Sequence, residues 1–118
     1  MLRKGAGLGL VNGNVFLGAF SESAIGFLII DCHYSHPTNG DYSKARYIIQ
    51  KYGNRPIVVR KVDVVGTEKF IYVYNNTHIF FKSVDSNCCS YPEIIDYGGG
   101  FGVDIKNYSN IPAGAVDY

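Results

Sequence analysis

Apolar positions in the first third of the chain fall into short runs separated by turn residues. Asn12-Gly13, the preferred pair for a tight hairpin turn, separates the apolar residues 8–11 from 15–17. A near-continuous apolar run follows over residues 25–32, as expected for a strand that is covered on both faces. We therefore predict a hairpin and then a buried strand in this region.

The spacing of apolar residues then changes to 3.6 residues, which is typical of an amphipathic helix. Its apolar positions are Tyr42, Ala45, Ile48, Ile49 and Tyr52. Asp41 can cap the start of a helix, and Gly53 is the usual residue type just beyond a helix end. We predict one amphipathic helix over about residues 41–52.

Strand patterns return in the second half of the chain. Residues 57–65 are rich in β-branched side chains, and residues 70–74 and 78–82 follow after short turns, so the three segments predict a meander. A weaker pair, 94–97 and 101–105, flanks a run of glycines, and the last dozen residues are predicted to be loose. The expected fold class is α+β, in one domain over residues 1–118. It consists of a mostly antiparallel sheet or half-barrel of about six to eight short strands, with the helix packed on it.

The turn Asn75-Asn76-Thr77 sets the register of the last two strands of this meander. If Tyr74 lies opposite His78, four apolar residues share a core face: Ile71, Val73, Ile79 and Phe81. The other face is then an aromatic stripe with polar tips, formed by Phe70, Tyr72, Tyr74, His78, Phe80 and Lys82. Such a stripe can stack a base or a sugar, but the helix or a second subunit could equally cover it.

Composition excludes a disordered chain, because 47% of the 118 residues are hydrophobic and only 18% are charged. The net charge is +1, but its distribution is uneven. Residues 42–61 carry no acid and six basic residues, which are Lys44, Arg46, Lys51, Arg55, Arg60 and Lys61, whereas residues 85–118 carry five acids and one lysine. Basic residues with tyrosines between them favour contact with an anionic ligand. The same pattern also fits a solvated helix face or charged regions that meet between subunits.

Candidate chemistry is confined to the segment Cys32-His33-Tyr34-Ser35-His36. Cys32, His33 and His36 could bind zinc together with Cys88 or Cys89, but no recognised ligand spacing is present, so we predict no metal and no cofactor. His33 and His36 could instead serve as acid and base on a phosphodiester. The three cysteines favour reduced thiols, and the alternative is a disulfide from Cys32 to Cys88 or Cys89.

These observations predict a small non-enzymatic binding protein that forms a homo-oligomer and has a nucleotide, a nucleic acid or a protein as its partner. The size and the lack of a catalytic signature are typical of small accessory proteins, including viral and phage inhibitors. No apolar run has the length of a signal peptide or a membrane span, so we expect a cytoplasmic protein without a membrane partner. The alternatives are a metal-independent phosphodiesterase using His33 and His36, or a structural homo-oligomer subunit. The candidate ligand-binding residues are Lys44, Arg46, Lys51, Arg55, Arg60, Tyr72, Tyr74, His78, Phe80 and Lys82.

Overall fold

The structure, a computed structural model, describes residues 2–3, 13–36, 39–83, 93–108 and 110–118. These residues form ten strands and no helix, so the predicted α+β class with a packed helix is wrong. The strands are β1 (Leu2–Arg3), β2 (Gly13–Phe20), β3 (Ile25–Ser35), β4 (Tyr42–Tyr52), β5 (Val58–Val65), β6 (Ile71–Tyr74), β7 (His78–Ser83), β8 (Glu93–Gly98), β9 (Phe101–Tyr108) and β10 (Val116–Asp117).

The strands form two antiparallel sheets of five strands each. Sheet I has the order β1-β8-β3-β4-β5, and sheet II has the order β10-β6-β7-β2-β9. One hydrophobic cluster contains buried side chains from both sheets, among them Leu28 and Ile49 of sheet I and Ile71 and Phe81 of sheet II. Each sheet therefore has an inner face towards this shared core and an outer face away from it.

The predicted helix is strand β4, which lies opposite β3 along its whole length. Alternate residues of β4 are buried on the inner face, namely Ser43, Ala45, Tyr47, Ile49 and Lys51. Only two of the five apolar positions assigned to the helix, Ala45 and Ile49, belong to this row. The row begins and ends with a polar residue, and this hides the period of two in the sequence.

The residues predicted to cap the helix instead lie in the connections before and after β4. Asp41 lies in the loop between the two strands, where its amide N–H donates to the side chain of Asn39 at 3.0 Å. Gly53 has a φ of 57°, the left-handed conformation that suits glycine, in the turn after β4. The glycine signal was therefore real, but it marks the end of a strand.

The β6–β7 hairpin has the predicted register, with Tyr74 opposite His78 and Ile71 opposite Phe81. Asn75 and Asn76 both adopt positive φ in its turn, at 51° and 58°. The predicted three-stranded meander is wrong, however, because β5 pairs with β4 in sheet I while β6 and β7 belong to sheet II. The chain changes sheet between Val65 and Ile71.

The glycine run after β8 marks another change of sheet rather than a hairpin, because β8 pairs in sheet I and β9 in sheet II. Gly99 has a φ of 76°, and a Cβ atom there would lie 2.1 Å from the carbonyl oxygen of Ser23. Ser23 belongs to the connection from β2 to β3, which also changes sheet. The close contact between the two connections therefore requires glycine at this position.

The predictions for the two ends of the chain have different outcomes. The predicted partner strand at residues 8–11 lies outside the described residues, and β2 itself is paired on both edges, with β7 and β9. The last residues are not loose, since β10 pairs with β6 and the Tyr118 N–H donates to the Ile71 carbonyl at 2.8 Å. The buried Tyr47 hydroxyl joins the two sheets by donating to the main-chain oxygen of Tyr118 at 2.9 Å.

Candidate functional site

The basic residues predicted to form one site are divided between different environments. Lys44, Arg46 and Arg60 lie on the outer face of sheet I, and all three are exposed. Arg55 follows in the turn after β4, where its guanidinium carbon lies 5.7 Å from the centroid of the Tyr52 ring, a cation–π distance. Lys51 points to the other side of the sheet.

Lys51 is only 1% exposed, and its ammonium group donates to the carbonyl oxygens of Glu22 at 3.2 Å and Arg55 at 3.0 Å. It also donates to the carbonyl oxygen of Gly53. Three donors thus meet three acceptors, which is the full capacity of an ammonium group. These hydrogen bonds stabilise the end of β4, and Lys51 contributes nothing to an exposed basic surface.

Arg46 forms a two-point ion pair with Asp31 across β3 and β4, at 2.8 Å and 3.2 Å. The hydrogen bond and the charge of Asp31 both raise the pKa of the Arg46 guanidinium above its ordinary value. A depression beside this pair is also lined by Lys44, His33 and Asp63. Two cations and two carboxylates therefore balance there, which does not favour an anionic ligand.

Except for Phe70, the predicted aromatic stripe lies on the outer face of sheet II. Tyr72, Tyr74 and His78 are half-buried there, and the Tyr74 and His78 rings pack edge to face at 6.5 Å between centroids. Lys82 is exposed. Burial raises the pKa of Tyr72, and the negative charge of Asp117 on the adjacent strand adds to this shift.

Neither phenylalanine of the predicted stripe is accessible to a ligand. Phe70 precedes β6 and is 1% exposed within the shared core, so it does not belong to the stripe. Phe80 is 5% exposed, which leaves little of its ring available for stacking. The basic residues on sheet I and the remaining aromatic residues on sheet II lie on opposite outer faces, so they cannot contact one small ligand together.

His33 and His36 lie on opposite sides of sheet I. His33 is exposed on the outer face, opposite Lys44 in the register of β3 and β4. The His36 ring packs edge to face on Tyr34 on the inner side, 4.8 Å away, and its Nε2 lies 3.1 Å from the Ser43 hydroxyl. This arrangement does not bring the two imidazoles to one phosphodiester.

Ser43, His36 and Glu68 lie close together, a grouping that the sequence did not indicate. Glu68 Oε1 lies 3.6 Å from His36 Nε2, the same ring nitrogen that contacts Ser43. A catalytic triad needs the serine and the carboxylate on different nitrogens. Ser43 is also 1% exposed and packed against Gly66, where an added Cβ would lie 2.1 Å from the Ser43 hydroxyl oxygen. We interpret the cluster as structural.

The structure offers no support for the zinc alternative. Cys32 is buried on the inner face of β3 while His33 points outwards, and Cys88 and Cys89 lie outside the described residues. No group of three or more His, Cys, Asp or Glu side chains converges on a metal position in the described part of the chain.

The outer face of sheet I is the feature that sequence analysis missed, because residues 41–52 were assigned to a helix. Its centre is apolar, formed by half-buried Phe27, Ile29, Ile48 and Ile95. Exposed Tyr52 and Tyr97 extend it at one end, and the Tyr97 ring packs edge to face on Phe27 at 5.9 Å. The sequence signal for this face is a short one, the alternation of polar Lys44 and Arg46 with apolar Ala45 and Tyr47.

Comparisons with family models, with curated proteins and with solved structures gave no match to this chain. Over the described residues, the structure has no helical segment with the length and hydropathy needed to cross a bilayer.

Proposed function

We propose that the chain is a non-enzymatic binding protein that contacts a protein partner through the outer face of sheet I. The observation that carries this proposal is the apolar centre of that face. Ile29 and Ile48 lie side by side on the two central strands, and both remain partly accessible. The inner face of the same sheet already packs in the shared core, so the outer apolar side chains are not needed there.

The distribution of apolar and charged side chains on this face is typical of a protein interface. Apolar residues fill the centre, while charged residues such as Asp31, Arg46 and Arg60 stand around them. Tyr52 and Tyr97 are 56% and 68% exposed, and tyrosine is among the residues that contribute most to interface affinity. Neighbouring apolar side chains that stay partly accessible are typical of interaction sites.

The anionic-ligand version of the proposal has weaker support. Of its basic residues, Lys51 is buried and Arg46 is paired with Asp31, which leaves Lys44, Arg55 and Arg60. Its aromatic residues lie on the other sheet. A cytoplasmic location stays a prediction.

Replacing Ile48 with Asp tests the proposal directly, because the change puts a charge at the centre of the face. We expect wild-type protein at high concentration to form a complex, with itself or with another polypeptide, and Ile48→Asp to lose that complex. Native mass spectrometry gives the readout. Tyr74→Asp is the matched control, since it places the same charge on a half-buried position of the outer face of sheet II.

Val58→Asp gives a second test at a position that is 51% exposed, should Ile48→Asp unfold the sheet. Wild-type protein that is monomeric and bare under all conditions would contradict the proposal, as would a complex that survives both substitutions.

Titration with a single-stranded oligonucleotide and with ATP addresses the anionic alternative. We expect no binding. Salt-sensitive binding of either probe that disappears in Arg60→Ala would instead favour the nucleic-acid or nucleotide function.

A further inference from the structure

Opposite charges stand at opposite ends of a row of side chains that crosses the outer face of sheet I. In register, Glu93 lies beside Ile29, Ile29 beside Ile48, and Ile48 beside Arg60. Three strand spacings of about 4.8 Å separate Glu93 from Arg60 by roughly 14 Å, too far for contact within one molecule. Neither residue has an ion pair within 4.0 Å in the described part of the chain.

A second row repeats this polarity one step along the strands. Asp31 lies on β3 and Arg46 lies opposite on β4, so the acid is again on the side of β8 and the base on the side of β5. The row on the other side of Ile29 and Ile48 is apolar at both ends, with Ile95 and Val58 at its margins.

We propose that this face binds a second copy of the chain, with a two-fold axis parallel to the strands and between β3 and β4. The inference rests on the proposed function and specifies its partner. This rotation places β8 of one copy over β5 of the other, and β3 over β4. Glu93 of each copy then meets Arg60 of the other, Asp31 meets Arg46, and Ile29 meets Ile48.

The charges select this axis over the other face-to-face arrangement. A two-fold axis across the strands would place Glu93 over Glu93 and Arg60 over Arg60, and like charges opposed across an interface oppose association. Both axes keep the two sheets within the roughly 30° at which aligned sheets pack, so the charges alone decide between them.

The area of the face predicts a weak dimer. Four strands at about 4.8 Å spacing, each with about eight residues at 3.3 Å, span roughly 500 Å² per copy. This lies at the low end for specific interfaces, so association should depend on concentration and, because of the ion pairs, on salt.

Charge reversal followed by mixing tests the proposed axis. Sedimentation velocity over a wide concentration range should show a wild-type dimer that Glu93→Arg and Arg60→Glu each weaken by about tenfold or more. An equimolar mixture of the two variants should restore the dimer, because each contact then joins opposite charges. Native mass spectrometry distinguishes this heterodimer by mass, and Lys82→Glu on sheet II is the matched control with no expected effect.

The outcomes separate this inference from the proposed function. If Glu93→Arg recovers association only when it is mixed with wild-type protein, the axis across the strands is correct and the proposed one is wrong. If wild-type protein binds another polypeptide through Ile48 but never associates with itself, the proposed dimer is wrong and the proposed function stands. If Ile48→Asp disrupts no complex of any kind, both are wrong.

Discussion

The β3–β4 and β6–β7 hairpins have the same antiparallel pairing but different inner faces. The inner residues of the short hairpin, Ile71, Val73, Ile79 and Phe81, are all apolar and at most 6% exposed. In the long hairpin the inner row of β4 is apolar only in its middle, and Ser43 and Lys51 occupy its ends. Both polar residues are as buried as the apolar ones.

This difference shows that the two hairpins are stabilised in different ways. The short hairpin depends on apolar burial, which is worth about 1.5–3 kcal/mol for each large side chain and needs no specific partner. The ends of the long hairpin depend on named polar contacts, from Lys51 to three carbonyls and from Ser43 to His36. Since a buried polar group without its partner is costly, these ends should be the more sensitive to substitution.

The largest effect is expected for Lys51→Met, which keeps the aliphatic length of the side chain and removes its three donors. The carbonyls of Glu22, Gly53 and Arg55 would lose their charged donor, and we expect unfolding free energy to fall by about 3 kcal/mol. Chemical denaturation measures the change.

Lys44→Met is the control for this prediction, because it makes the same substitution on the exposed face of the same strand. We expect a change within about 0.5 kcal/mol there. Equal losses in the two variants would show that the buried hydrogen bonds add nothing and that the comparison between the hairpins fails.

The same contrast explains which parts of the fold could be predicted from the sequence. In β6–β7 the turn, the register and the core face were confirmed, because alternation and positive-φ asparagines are local signals. In β4 the alternation was hidden, because the buried row includes a lysine. The burial of that lysine is explained only by the carbonyls of Glu22 and Arg55, which lie next to it after folding. The wrong helix also prevented recognition of Ile48 as the centre of an outer sheet face.

Membership of the two sheets was beyond sequence analysis for a further reason. A turn pattern shows that a strand ends, but not whether the next strand pairs with it. The run around Gly99 was therefore interpreted as a turn between a weaker pair of strands, although it carries the chain from one sheet to the other. The predicted ligand site failed for the same reason, because the predicted meander joined β5 to β6 and β7, whereas these strands belong to different sheets.

Tyr47→Phe tests the polar link between the sheets. The Tyr47 hydroxyl donates to the Tyr118 main-chain oxygen and accepts from the Phe70 N–H at 3.4 Å. Its removal leaves both groups short of a partner, and we expect a loss of about 1.5 kcal/mol by denaturation. Tyr52→Phe, on an exposed ring of the same strand, should change stability by less than about 0.5 kcal/mol. Equal losses in the two variants would show that the Tyr47 hydroxyl does not stabilise the packing of the two sheets.

The turn of the short hairpin offers a pair of matched substitutions with a smaller expected effect. Asn75 and Asn76 have nearly the same φ, but only the Asn76 side chain accepts a hydrogen bond from the Ile57 N–H, at 2.6 Å. Glycine suits both backbones, so Asn75→Gly should be neutral within about 0.5 kcal/mol. Asn76→Gly should cost about 1 kcal/mol more than Asn75→Gly, because Ile57 loses its acceptor. If thermal unfolding shows the two variants to be equally stable, the hydrogen bond from Ile57 to Asn76 does not stabilise the fold and this prediction is wrong.

Tyr72 gives the smallest effect, and one that depends on pH. Burial raises the pKa of this phenol, so the folded protein disfavours the phenolate more than the unfolded chain does. The resulting stability is fully present below the ordinary tyrosine pKa of about 10 and is lost as the pH rises through the higher folded value. Tyr72→Phe should therefore lose less stability than wild type as the pH is raised above about 10. Urea denaturation at neutral and alkaline pH measures the difference, and an identical alkaline loss in both proteins would show that other groups are responsible.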